Sequence, residues 1–365
     1  MAGHMGAMTE GTGTGLPRHE PGLDGIRAVA ILAIVIYHAC PDALPGGWAG
    51  VDAFFVLSGY LITRLLAREM VETGRLHFGL FYARRALRLM PAFGLLLLFA
   101  LARAALAPSE AAGQLQFQGI GMAVTYLMNW NRAFGWVNQG ILGHTWSLSM
   151  EEQFYLLWPV CFLALWRRRP VAWLAGATGL IIAWRCALAL GGADAERTYN
   201  GFDTHADALA IGCILALVPL GAPARLGLTR AAPLAVAALA VILLAMPFRS
   251  LWTQTWGLTA AALASAWLIV AAQQDGWLKR VLSSPLAVYT GRISYGWYLW
   301  HYPFLLIGIW SIPDISAAQR LALVFAGYPV AMLSYHCVER PCLRLKDRLR
   351  PKARPEPEPA GLTAA

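Results

Sequence analysis

The chain has 365 residues, is 58% hydrophobic and only 13% charged, and has a mean hydropathy of +0.52. A soluble domain of this size has too little interior to hide so much apolar surface, so the composition points to a polytopic membrane protein. The net charge of +9 sits in short basic clusters between apolar runs, a pattern that orients membrane segments and does not make a nucleic-acid face.

The opening "MAGHMGAM" reads as a cloning remnant ahead of Met8, with no cleavable signal peptide behind it. Stretches of about 20 apolar residues, enough to cross a bilayer, are expected at 24–40, 48–67, 85–106, 147–166, 171–190, 204–220, 232–247, 255–273, 287–310 and 319–338. A further stretch, Gln114 to Trp130, is diluted by Gln114, Gln116, Gln118 and Asn129. Charge decides how it is counted. Basic clusters fall at Arg64 to Arg88, Arg167 to Arg169, Arg225 with Arg230, Lys279 with Arg280, and Arg340 to Arg350. They share one side of the membrane only if Gln114 to Trp130 does not span it, and the positive-inside rule then predicts both termini in the cytoplasm. The expected fold is an all-α bundle of about ten transmembrane helices. Residues 107–146 become an outer-side loop with a re-entrant or interfacial helix, allowed only where protein or water covers its backbone. The tail from Arg350 onward is rich in Pro and Glu and is expected to be disordered. The six cysteines form no C-x-x-C pair, so free thiols are expected and no metal or disulfide framework.

The first apolar stretch, "GLDGIRAVAILAIVIYHAC", carries two groups that lipid rejects, Arg27 and His38. Eleven residues of α-helix make three turns plus about 20°, so the two share one face about 16 Å apart along the axis. Ionisable groups inside a span are costly and usually face the bundle interior, which makes both functional candidates. Two plainer readings stand beside this one. Arg27 can snorkel to the boundary as an anchor, and His38 can be a structural interfacial histidine.

The runs "LDGIRAVAILAIVIYH", "GGWAGVDAFFVLSGYLITRLL", "FYARRALRLMP", "HTWSLSMEEQFYLLWP", "FDTHADALAIGCILAL", "ISYGWYLWHYPFL" and "SYHCVERP" follow one another from about Leu23 to Pro341. In that order they resemble the acyltransferase-3 family of integral membrane O-acyltransferases. The resemblance implies transfer of an acyl group, commonly acetyl, from cytoplasmic acyl-CoA to a hydroxyl of a sugar or similar acceptor. It matches the family's arginine, ten intervening residues and histidine to Arg27 and His38, its RxxR to Arg85 and Arg88 beside Arg84, and its late acidic residue to Glu339. The following residue is Arg340, where the family often has lysine.

On this footing His38 is the expected general base for the acceptor hydroxyl, since histidine titrates near neutrality. Asp52, which begins the next helix on the same outer side, is its expected partner; the competing reading is charge against the helix dipole. Arg84, Arg85 and Arg88 are the expected phosphate site for acyl-CoA, against topology anchoring or lipid headgroups. Ser58, Gly59 and Tyr60 offer a small-residue step for the pantetheine arm or acyl group, which helix packing explains equally. Glu151 and Glu152 are candidates for orienting the acceptor or balancing Arg27, although Ser149 with Glu152 also has capping-box spacing. His301, Trp146 and Tyr298 are the expected acceptor-binding side chains; a buried histidine satisfied by a neighbour is the alternative for His301. Asp203, His205 and Asp207 have poor spacing for one helical face, so no metal is expected.

The chain then divides into 1–22, remnant and flexible N-terminus; 23–341, a membrane acyltransferase domain; and 342–365, a basic, Pro/Glu-rich cytoplasmic tail. It reads as a stand-alone module of a bacterial-type inner or plasma membrane, with no soluble esterase domain after Pro341. Its expected partners are the bilayer, acyl-CoA and a surface or exported carbohydrate, or else a glycosylated natural product such as a macrolide; nucleic acid is not among them. A proton-coupled transporter is the alternative of another class.

Overall fold

A computed structural model describes residues 20–106 and 109–349, and within these only helices and turns occur. The remnant, most of the Pro/Glu-rich tail, and Ala107 with Pro108 of the expected outer loop lie outside the described residues.

The chain opens with α1 (Pro21–Ala39), whose Pro21 has the fixed φ and missing N–H that suit a first helical turn. Next, α2 (Ala49–Thr73) ends on Gly74 at φ 73°, the left-handed cap that favours glycine. Beyond it, α3 (Phe78–Ala105) continues through Pro91. The next helix, α4 (Glu110–Val124), runs back along α3: Tyr126, just past its end, stacks on Phe93 with ring centroids 5.7 Å apart and its hydroxyl faces the Met90 sulfur. The chain reverses there with Tyr126 at φ 54° and returns through α5 (Met128–Phe134). A 3₁₀ turn (Gly140–Thr145) leads into α6 (Trp146–Leu165).

The second half holds α7 (Pro170–Leu190), the short α8 (Ala195–Asn200) and α9 (Phe202–His205), α10 (Asp207–Leu217), α11 (Ala222–Arg230) and α12 (Ala232–Ala245). A π-helical turn (Thr253–Gly257) opens α13 (Leu258–Ala271), followed by α14 (Trp277–Leu282), α15 (Pro285–Ser311) and α16 (Ala317–Ser334). A second π turn (Tyr335–Glu339) continues into α17 (Arg340–Arg348), so the first residues of the expected tail are helical.

All ten expected apolar stretches fall on helices, yet among the described residues only six helices are long and apolar enough to cross a membrane, or seven if the bent pair α11 and α12 is one span. The shortfall has a local cause. Glu151, Glu152 and Gln153 dilute α6, Arg292 and His301 dilute α15, and α10 has only 11 residues. Exposed Leu180, Trp184 and Leu190 on α7, and Leu234, Val241 and Leu244 on α12, give an outer apolar surface suited to lipid. Between helices in lipid, close packing replaces the hydrophobic effect as the associating force. Accordingly α2 and α10 meet backbone to backbone, where a Cβ on Gly59 would lie 2.0 Å from the Leu209 carbonyl oxygen and one on Gly212 would lie 2.2 Å from that of Val56.

The central helix α1 packs on α2 and α15. Asp24 abuts Gly291, and fourteen residues later His38 meets His301, so α1 and α15 run parallel. Helix α2 runs the other way, with Gly50 against Ala30. The bundle therefore has a histidine end, with His38, Asp52 and His301, and an arginine end, with Arg27, Arg64 and the start of α3.

Candidate active site

At the histidine end, His38 Nδ1 lies 2.9 Å from His301 Nε2, and the rings stack 5.1 Å apart at 19°. His301 is fully buried, whereas His38 is half-buried. The other nitrogen of His301 faces the carbonyls of Tyr298 at 2.6 Å and Trp297 at 3.2 Å. Tyr302 meets His38 edge-on at 5.2 Å and lies 4.9 Å from the ring of a third histidine, His144. His144 donates from Nε2 to the Leu299 carbonyl at 3.1 Å, and Tyr298 donates its hydroxyl to the carbonyl of His144. His144 and Tyr298 thus lock the 3₁₀ turn onto α15. Three imidazoles meet here, yet among the described residues no group of three or more His, Cys, Asp or Glu side chains is arranged to hold a metal.

The expected His38–Asp52 pair does not form. Asp52 Oδ1 lies 2.9 Å from His205 Nε2, with both side chains fully buried, while His205 Nδ1 donates to the Tyr199 carbonyl at 2.7 Å. Both nitrogens of His205 face acceptors, so the pair holds a proton on each nitrogen of the ring or one on the carboxyl. Trp146 packs between Phe55, Tyr199 and His205 and is 4% exposed, which makes it a wall of this second pair. Asp203 pairs with Arg197 and Asp207 with Arg185, so the three residues with poor metal spacing go to three different partners.

At the arginine end, Arg27 pairs with Asp24 at 2.8 Å, an i, i+3 contact. The Arg85 guanidinium lies 5.8 Å from the Tyr155 ring, and its buried Nε has no hydrogen-bond partner. Arg88 acts electrostatically on Arg27, Arg85, Glu151 and Glu339. Ser58 donates to Glu151 at 2.5 Å and accepts from Tyr155 at 3.2 Å. Glu339 accepts from Ser334 at 3.0 Å and belongs to this end, away from His38. Helix α6 therefore carries Glu151, Glu152 and Tyr155 to the arginines. Next to them Gln153 donates to the Tyr126 carbonyl and to Asn129, and so holds the apex of the α4–α5 reversal at the same level.

Three residues leave the grouping expected from sequence. The space beside Gly59 is filled by α10, so its small size serves helix packing. Tyr60 donates to Gln273 and accepts from Arg64, away from the RxxR arginines. Ser149 sits inside α6 and donates to the Thr145 carbonyl, so it does not cap the helix and no capping box forms with Glu152; Glu152 Oε1 is left buried without a hydrogen-bond partner. Sequence reasoning missed His144, Tyr155 and Gln153. The i, i+3 spacing of Asp24 and Arg27 was a usable signal for that pair, but nothing local marks His144.

This arrangement defines a helical integral membrane protein with paired histidines at one end of its central helices and an arginine–carboxylate cluster at the other. The chain belongs to the acyltransferase-3 family, whose acyltransferase-domain model matches residues 20–336. The O-acetyltransferase OatA of Staphylococcus aureus strain NCTC 8325 / PS 47 is 33% identical over 346 residues, covering 89% of this chain and 57% of that protein. The proteins of the same name from strains COL and MRSA252 match to the same extent. The chain thus spans somewhat more than half the length of these curated relatives. No solved structure matches it.

Proposed function

We propose that the chain is a membrane O-acyltransferase that moves an acetyl group from acetyl-CoA to a hydroxyl of a carbohydrate outside the cell. The observation that best supports this is the placement of His38: half-buried, paired with His301, and on the same helix as Arg27, which joins the arginine cluster. In this reading the helices make ten passes, the arginine end faces the cytoplasm, and the α4–α5 reversal is a re-entrant element covered by α3 and α6. Residues 23–341 form the acyltransferase domain, set in a bacterial plasma membrane with both termini inside.

Arg85 and Arg88 take the phosphates of the donor, because a guanidinium fork binds phosphate through paired charge-assisted hydrogen bonds. The pantetheine arm then runs along α1 toward His38, a distance of about 16 Å set by eleven helical residues. The acceptor hydroxyl gives its proton to His38 as its oxygen attacks the thioester carbon. The carbon–sulfur bond breaks, and the CoA thiolate takes the proton back from His38. Protons and charge balance with the base regenerated.

The test is turnover of radiolabelled acetyl-CoA by the purified protein and by His38→Ala, read as CoA release and as label on oligosaccharide acceptors. Label transfer that His38→Ala abolishes supports the reading; neither binding nor release of CoA by intact wild-type protein overturns it.

A further inference from the structure

We propose that His301 is the positioning residue that fixes the tautomer of His38 and aims its Nε2 at the acceptor. The inference rests on the function proposed above and follows from proton counting. His301 Nδ1 faces two carbonyl oxygens, those of Tyr298 and Trp297, and carbonyls only accept. That nitrogen therefore carries the ring hydrogen, and in a neutral imidazole its Nε2 holds a lone pair. His38 Nδ1, 2.9 Å away, must donate to it. The lone pair of His38 then resides on Nε2, which has no hydrogen-bond partner among the described residues and is not sealed from solvent.

The helix supplies the rigidity. The acceptors lie three and four residues before His301 on α15, so its ring is clamped to its own helix, and the stacked geometry holds His38 against it. When His38 takes a proton on Nε2, its Nδ1–H bond to His301 becomes charge-assisted and strengthens. A carboxylate partner would do the same with a full charge; a neutral imidazole orients the base without burying one. This is the service that Asp52, engaged by His205, does not perform.

The test compares His301→Gln with His301→Met in the full-length purified protein. Glutamine can donate its amide to the carbonyls and accept from His38 through its oxygen, whereas methionine fills similar space but cannot do both. His301→Met is expected to lower kcat by roughly 100-fold or more, the scale of general-base catalysis, with KM for acetyl-CoA unchanged. His301→Gln should keep kcat within about 10-fold of wild type. Equal losses in the two variants, or a loss confined to KM, overturn the proposal. Nitrogen-15 shifts of labelled histidine give a second reading that needs no active or folded variant. Wild-type His38 should show a protonated Nδ1 and an unprotonated Nε2; the opposite tautomer overturns the proposal even where turnover is intact. Absence of acetyl-CoA turnover by the wild type, with the expected shifts, would instead refute the acyltransferase reading alone.

Discussion

Pro303 has no amide hydrogen to offer the carbonyl of Leu299, four residues back, and that carbonyl receives the Nε2–H of His144 at 3.1 Å. A gap in the ladder of α15 is filled from the 3₁₀ turn before α6, and this bond joins the Tyr298–His144 carbonyl bond in tying that turn to α15. His144→Ala strands a buried carbonyl, at a cost of about 1–3 kcal/mol. A lower midpoint of thermal unfolding is expected. Adding Pro303→Ala restores a backbone donor and should recover much of the loss, and two independent losses that simply add would refute the coupling.

The two glycines Gly59 and Gly94 separate packing from propensity. Gly59→Ala drives a methyl into the Leu209 carbonyl, so α2 and α10 must move apart; loss of monodisperse protein or a sharply lower unfolding midpoint is expected. Gly94→Ala on α3 meets no neighbouring atom within 4 Å and should stabilise by roughly 0.5–1 kcal/mol from helix propensity. Similar behaviour of the two variants would show that the α2–α10 approach is not tight.

Arg85→Ala and Arg88→Ala should each raise KM for acetyl-CoA by about 10-fold or more, the weight of one hydrogen bond to a charged group, with kcat nearly unchanged. His38→Ala should abolish kcat and leave donor binding in place. Isothermal titration with CoA checks both arms. If the arginines only anchor topology, CoA affinity stays the same and insertion or orientation changes.

Asp203, outside the apolar helices, predicts an acid response. Burial pushes its carboxyl up, but hydrogen bonds from Arg197 and Trp184 outweigh this and hold it below the usual carboxylate range. A folded value below the unfolded one gives stability that is complete above the ordinary carboxylate pKa of about 4 and is lost as pH falls through the folded value. Unfolding midpoints of wild type and Asp203→Asn should therefore differ at pH 6 and converge on acidification. A gap that does not change with pH would remove the Asp203–Arg197 pair as its source.

The sequence by itself determined the helices and the shared face of Arg27 and His38. Apolar runs need no partner to be recognised, and eleven residues of helix bring two side chains into line wherever the helix lies. The family was legible for a related reason, since its motifs are contiguous and keep their polar positions. Tertiary structure decided the partners. His38 meets His301, 263 residues away, and Asp52 meets His205, 153 residues away. From sequence, Asp52 opens the next helix on the same outer side, which made it the expected partner of His38; the close approach of α2 and α10 at Gly59 and Gly212 gave it to His205 instead. The reversal at Tyr126 was visible only as a stretch too polar to span, because its apex is held by Gln153 from another helix. Local periodicity follows from backbone geometry, which every residue carries with it. Which buried hydrogen finds which lone pair depends on helices packed from distant parts of the chain, and no short stretch records that.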